Sequence, residues 1–142
     1  MTDIYENQAD RFNERQKGHL PGHLGIHWTE ITAGRATGSY TVAQHHMAPN
    51  GFMHAGSVVT LADTACGYGC VASLPEGASG FTTIELKTNF MGTTRDGTVA
   101  CEARLLHGGR TTQVWDAEVK HVESGRVIAA FRCTQMILYP RA

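Results

Sequence analysis

The chain is 142 residues long, 42% hydrophobic and 18% charged, with 12 Lys and Arg against 13 Asp and Glu and a formal net charge of −1. That length and apolar content suit one domain with a substantial core, taken here as residues 1–142, and argue against a second. The near-neutral balance excludes the basic field that a phosphate backbone demands, so nucleic acid is not an expected partner.

The first ten residues lack the basic and apolar regions of a signal peptide, and no apolar run approaches a membrane span, so the expected setting is cytoplasmic with no membrane partner. Residues from about Asp3 to Lys17 are polar and helix-compatible, with Ile4, Ala9 and Phe12 as apolar points, and predict a surface helix laid against a core that runs from about 22 to 139. Gly18 to Gly25 carries Pro21 and three glycines, which should break any helix and scatter His19, His23 and His27 over loop and strand edges. Two strands follow at about Gly25–Ile31 and Arg35–Gln44. His45 and His46, adjacent in an extended segment, should point to opposite faces as strand-end residues.

After a loop at Pro49–Gly51, the segment from about Gly56 to Leu74 is too long for a strand and ends at Leu74-Pro75-Glu76-Gly77. It is apolar on most sides and rich in small residues, which predicts a helix buried on most sides with closely approaching neighbours. The rest alternates as strands. Phe81–Met91 sets Ile84, Leu86, Thr88 and Phe90 against Thr83, Glu85, Lys87 and Asn89, and Thr98–Leu106 sets Val99, Cys101, Ala103 and Leu105 against Glu102 and Arg104. Thr111–Val122 follows, then Val127–Tyr139, whose nearly continuous apolar content predicts a strand covered on both faces. Turns at Arg95–Gly97, His107–Arg110 and Ser124–Gly125 predict an antiparallel meander of these four strands. Cys66, Cys70, Cys101 and Cys133 read as reduced core residues; no companion motif completes a metal site, and no metal or cofactor is expected.

One feature of the charge pattern stands apart: Asp63 is the only acidic or basic residue between Arg35 and Glu76, and it lies inside the apolar helical segment. Burying an unpaired carboxylate is costly, so such a residue either faces water or is held there for chemistry. The residues before it favour chemistry. The string Pro49-Asn50-Gly51-Phe52-Met53-His54-Ala55-Gly56, followed after a short spacer by Leu61-Ala62-Asp63, resembles the signature of PaaI-type hotdog-fold acyl-CoA thioesterases of the 4-hydroxybenzoyl-CoA thioesterase superfamily. The likeness runs from about Gly22 to Tyr139.

The resemblance implies an α+β hotdog fold, a long central helix wrapped by a curved antiparallel sheet of five to six strands. It implies a homodimer that forms the active sites, itself paired into a homotetramer, and an acyl-CoA substrate with an aromatic or short-to-medium acyl group. Asp63 would be the general base or nucleophile. The backbone N–H eight residues earlier, at Ala55 with Gly56 beside it, would form the oxyanion hole; the family more often has glycine where this chain has Ala55, but a main-chain donor survives that change. A polar residue at the start of the following strand, contributed by the neighbouring subunit, would be Thr83, with Thr82 as the other candidate. Members carry Asn or Gln in the loop before the helix, where this chain has Ala48 and Asn50. His54 would shape the loop or polarise the carbonyl.

The turn at Gly108–Thr112 corresponds to the region that contacts CoA pantetheine and phosphates in related enzymes. Gly109, Arg110, Thr111 and Thr112 could serve with exposed N–H groups, a guanidinium fork and hydroxyls; Arg95 and Arg126 are weaker candidates. Phe52, Met53, Tyr68, Phe90 and Met91 are candidates for the acyl pocket. Two other readings share the fold: a hydroxyacyl-thioester dehydratase or hydratase, in which His54 and Asp63 would pair, and a non-catalytic acyl-CoA-binding module, which would lack the helix carboxylate.

Overall fold

A computed structural model of the protein describes residues 6–141. In chain order these form α1 (Ala9–Arg15), α2 (Leu20–His23), β1 (His27–Thr32), β2 (Arg35–Thr41), a 3-10 turn at Gln44–His46, α3 (Ala55–Ala72), β3 (Gly80–Phe90), β4 (Thr98–Gly108), β5 (Thr112–His121) and β6 (Val127–Leu138). The six strands make one sheet in the order β1-β2-β4-β5-β6-β3, with every neighbouring pair antiparallel. Helix α3 packs across the sheet, the α+β wrapped-helix arrangement that the resemblance implied. No helix among the described residues is long and apolar enough to cross a membrane.

Helix α3 begins and ends for local reasons. His54 sits at its N-cap with extended backbone, and its Nδ1 accepts the Gly56 N–H at 2.8 Å, satisfying one of the free first-turn donors. At the other end Ser73 Oγ donates back to the Gly69 carbonyl at 2.7 Å, and Pro75 prevents continuation. Leu61, Ala62, Ala65, Cys66 and Cys70 on one face are fully buried. Gly69 lies on that face over the Trp115 indole, so close that a Cβ there would fall 2.6 Å from the ring. A second close approach occurs in the sheet, where a Cβ on Gly38 would fall 2.3 Å from Trp28. Small residues thus make room for two fully buried tryptophans. The four cysteines are free and buried, as composition suggested, and burial pushes the Cys70 thiol up to about 12.

Several expectations need correction. The predicted N-terminal helix is shorter, Ala9–Arg15, and residues 3–5 lie outside the described residues. A four-residue helix forms at Leu20–His23 despite Pro21, because proline is tolerated at the first helical positions, where its missing N–H would have no partner. His45 and His46 occupy the 3-10 turn, not an extended strand end, and their rings lie on the same side with centroids 4.3 Å apart.

The four C-terminal strands are not a simple meander. β4, β5 and β6 follow one another, but β3 pairs with β6 at the far edge, and Met91 to Gly97 carries the chain across the sheet to β4. Strand β6 is covered on one face only: Ile128, Phe131, Cys133, Gln135 and Ile137 are buried, whereas Arg132, Met136 and Leu138 are exposed. On β3 the ladder to β6 shifts between Thr83 and Glu85, and Ile84, Leu86 and Phe90, expected to face a core, are about half exposed at 54%, 44% and 47%. An apolar row on an unpaired edge strand is unusual for an isolated chain.

The Gly69–Trp115 contact is directly testable. Gly69→Ala should lower the melting temperature even though alanine gains about 1 kcal/mol of helix propensity, because displacing a fully buried indole costs ~1–3 kcal/mol. Thermal denaturation of the two proteins checks this, and an unchanged or higher midpoint would show that the helix and sheet can separate freely.

Candidate active site

Along α3 the residues that do not face the sheet form a stripe at 63, 64, 67, 68 and 71, the spacing of one helical face. This stripe is one wall of a cleft of about 710 Å³. The second wall comes from α1 and the turn after it, with Arg11, Phe12, Arg15, Gln16, His19 and Pro21. The third comes from the start of β3, with Ser79, Gly80, Phe81 and Thr83. Asp63 is half-buried, and its Oδ1 is buried with no hydrogen-bond partner among the described residues. Burial pushes its carboxyl above the ordinary aspartate value, because the charged form loses water without gaining a donor.

Thr83 lies in the same cleft as Asp63 within one chain. Its Oγ1 donates to Gln135 Oε1 at 2.6 Å, and Gln135 is completely buried on the adjacent strand. Thr82 alternates to the other side of the strand and is exposed. Tyr68 is held by three neighbours. Its ring is 4.5 Å from Phe12 and 5.3 Å, edge-on, from Trp28, and its hydroxyl donates to Gln16 Oε1 at 3.3 Å. Gln16 in turn accepts from Trp28 Nε1 at 2.7 Å and donates to the Ile26 carbonyl at 2.6 Å.

The loop before α3 has its own anchor in His46. This buried ring stacks on Tyr40 at 4.2 Å, donates from Nε2 to the Leu24 carbonyl at 2.6 Å and accepts the Ala43 N–H at Nδ1. Its backbone carbonyl receives the His54 N–H and the Ser57 hydroxyl, which ties the helix start to the sheet. Burial pushes the His46 pKa down, keeping the neutral tautomer that this geometry requires.

The His54 ring shapes the loop through its Nδ1, which accepts the Gly56 N–H. Asn50 does likewise, accepting the Phe52 N–H at 3.1 Å while remaining exposed. Because Gly56 gives its N–H to His54, Ala55 has the first-turn donor with no partner among the described residues. Ala55 opens on a separate small hollow of about 170 Å³ with Phe52, Met53, Val58, Phe90 and Ile128. Of the acyl-pocket candidates, Tyr68 joins the Asp63 cleft, Phe52, Met53 and Phe90 join the Ala55 hollow, and Met91 joins neither.

The β4–β5 turn is not brought to Asp63 within one chain. Gly109 closes it with an N–H to the Thr112 carbonyl, Thr112 pairs in the ladder with Met136, and the Thr111 carbonyl accepts from Ile137. The Arg110 guanidinium lies 5.4 Å above the Tyr139 ring and is exposed. Another depression, of about 650 Å³, lies on the outer face of the sheet, where Arg132 pairs with Asp116 and Arg104 with Glu102. No group of three or more His, Cys, Asp and Glu side chains among the described residues is arranged to hold a metal ion.

Sequence reasoning missed Gln135, Gln16, His46 and the two arginines of α1. Gln135 had a signal, as the one amide in a largely apolar strand, and Arg11 and Arg15 had one in their i, i+4 spacing. Gln16 and His46 had none, since their burial depends on which loops close over them.

The family model described as the thioesterase superfamily matches residues 50–128, which contain the pre-helix loop, α3 and most of the sheet. A 1,4-dihydroxy-2-naphthoyl-CoA hydrolase of Escherichia coli is 29% identical over 132 residues, covering 91% of this chain and 93% of its own. A hydrolase of the same name from Listeria monocytogenes is 28% identical, covering 78% of this chain and 89% of its own. Among solved structures, a variant of a Pseudomonas aeruginosa thioesterase superposes with a TM-score of 0.87 at 25% identity, covering 96% of this chain and 99% of its own.

The unpartnered carboxylate carries a stability signature. With its folded pKa raised above the unfolded value of about 3.8, Asp63 costs stability that is absent at low pH and grows as pH rises through the folded pKa. Asp63→Asn should therefore melt higher than the parent at pH 7, with the difference shrinking toward pH 4. Melting curves across that range check it, and a difference that grows on acidification would show that Asp63 is stabilised as the anion.

Proposed function

The chain belongs to the thioesterase superfamily and is a thioester hydrolase, and on that premise we propose that it hydrolyses acyl-CoA at a site built from two copies of the chain. The observation that carries this reading is the pairing of an orphaned carboxylate oxygen at Asp63 with an orphaned N–H at Ala55 on the same helix. Eight helical residues separate them, a rise of about 12 Å, so within one chain they cannot touch one carbonyl. Two copies can bring them together.

The edge strand supplies the means. Phe81 and Thr83, at the start of β3, line the Asp63 cleft, and Phe90, at its end, lines the Ala55 hollow. Antiparallel pairing of β3 with a second β3 about a two-fold axis sets the start of one strand against the end of the other. That brings Asp63 and Thr83 of one copy to Ala55 of the other, and it covers Ile84, Leu86 and Phe90. The charged outer face of the sheet, not used in this pairing, is where two dimers would meet in a homotetramer.

In this site the thioester oxygen lies at the Ala55 N–H, at the positive end of α3. Asp63 takes a proton from water as the water oxygen bonds to the acyl carbon; collapse of the resulting oxyanion breaks the C–S bond, and the departing CoA sulfur receives the proton. Direct attack by the Asp63 carboxylate, followed by hydrolysis of the anhydride, uses the same groups. Burial makes the carboxylate a stronger base or nucleophile than an exposed aspartate. Thr83, fixed by its bond to Gln135, positions the water by accepting one of its protons. Phe12, Tyr68 and Phe81 give the cleft an aromatic lining suited to an aryl acyl group, the class named for the two naphthoyl-CoA hydrolases. Asn50 shapes the loop, and the exposed turn with Gly109, Arg110, Thr111 and Thr112 is left to receive CoA from solvent. A dehydratase pairing of His54 with Asp63 is disfavoured, since the His54 ring is engaged in capping α3.

Two substitutions test the shared site. Asp63→Asn should lower turnover by roughly 10³-fold. Ala55→Pro deletes only the N–H, at the first helical position where proline fits and after a His54 backbone already extended, and should cost about 10²–10³-fold. Purified mixed dimers of the two variants contain one intact site and should recover about half of the parental rate. If those dimers stay as inactive as either variant alone, the shared site is wrong.

A further inference from the structure

The Asp63 cleft has two chemical ends. Its carboxylate is perturbed by burial alone, and no cation contributes to its ionisation, although Arg11 and Arg15 line the same cleft. The Arg15 charge is felt at the phenol of Tyr68 instead, where it opposes the effect of burial. Arg11 and Arg15 stand one turn apart on α1, and among the described residues neither meets a carboxylate. Among the described residues Arg11 donates to Gln8 Oε1 alone, at 3.2 Å, and Arg15 makes no side-chain hydrogen bond. Arg35, Arg104 and Arg132 are all ion-paired. The rings of Phe12, Tyr68 and Phe81 line the same cleft.

We propose that Arg15, with Arg11 beside it, selects thioesters whose acyl group carries a second anionic group, a carboxylate, at the end remote from the thioester. This rests on the reading that Asp63 hydrolyses a thioester in this cleft. From Asp63 to Tyr68 the helix rises about 7.5 Å, which fits a short acyl body such as one benzene ring with a group at each end. A CoA phosphate at the arginines would need the whole pantetheine arm folded into that interval. A carboxylate there meets planar N–H forks at the mouth of a partly water-excluded cleft, where charge-assisted hydrogen bonds are strong. A neutral acyl group of the same size would leave the guanidinium charges unmatched. The arginines therefore read what the acyl group carries at its far end, while Asp63 acts on the carbonyl.

The test compares 4-carboxybenzoyl and 4-methylbenzoyl thioesters, each made on CoA and on N-acetylcysteamine, which has no phosphate. For Arg15→Leu the ratio of kcat/KM, carboxylated over neutral, should fall about 10- to 100-fold on both carriers, with Arg15→Lys intermediate and Arg11→Leu showing a smaller fall in the same direction. A ratio unchanged in every variant overturns the proposal and leaves thioester hydrolysis standing. A loss equal for both acyl groups, seen on CoA but not on N-acetylcysteamine, also overturns it and assigns the arginines to phosphate. Should the parent protein hydrolyse none of the four esters, the underlying reading fails and the proposal with it. Direct binding of terephthalate followed by calorimetry, weakened in Arg15→Leu, supplies a readout independent of turnover.

Discussion

Close packing of α3 on the sheet is the constraint on which the rest depends. Gly69 sits against the Trp115 indole where a side chain would collide, and Leu61, Ala62, Ala65, Cys66 and Cys70 complete the buried face. A helix apolar on most sides would ordinarily be buried all round. Here one face commits to the sheet, and this sets the rotation of the whole helix. The opposite stripe, with Asp63, Gly67 and Tyr68, then has to form a cleft wall.

That rotation leaves an energetic liability in the cleft wall. Asp63 lies deep enough to lose part of its hydration but gains no donor among the described residues, so the cost appears as a raised pKa rather than being offset in an ion pair. The same helix leaves Ala55 N–H unpaired at its start because the neighbouring donor, Gly56, is absorbed by the His54 cap. Two unsatisfied groups of opposite character on one rigid rod, too far apart to meet, are intelligible as halves of sites completed by a second copy. The uncovered apolar row on β3 is intelligible in the same way.

The N-terminal segment has a larger part than its composition suggests. Gln16 ties Tyr68 and Trp28 together from beneath, while Phe12 and the two arginines supply one wall of the cleft. A polar helix that would be a surface ornament in a different topology becomes a determinant of what the cleft accepts. On the other side of α3, His46 plays the equivalent part for the pre-helix loop. It clamps Leu24, Ala43 and the His54 turn around one neutral imidazole.

What the sequence by itself determined was local: the long helix within a residue or two of each end, most strand positions, the inward faces of β4 and β5, and Asp63 as a carboxylate out of place in an apolar run. Each of these follows from periodicity, capping or charge pattern, which neighbouring residues settle among themselves. Long-range contacts decided the remainder. Whether β3 joins β4 or β6, which half of β6 is covered, whether His46 is buried, and which face of α1 meets Asp63 all depend on partners dozens of residues away. The alternation of Ile84, Leu86 and Phe90 was legible, but an apolar face encodes only a need for burial. It does not encode whether the cover comes from the same chain, and that was left to tertiary packing because α3 is one helix wide and cannot reach the edge strand's exposed side.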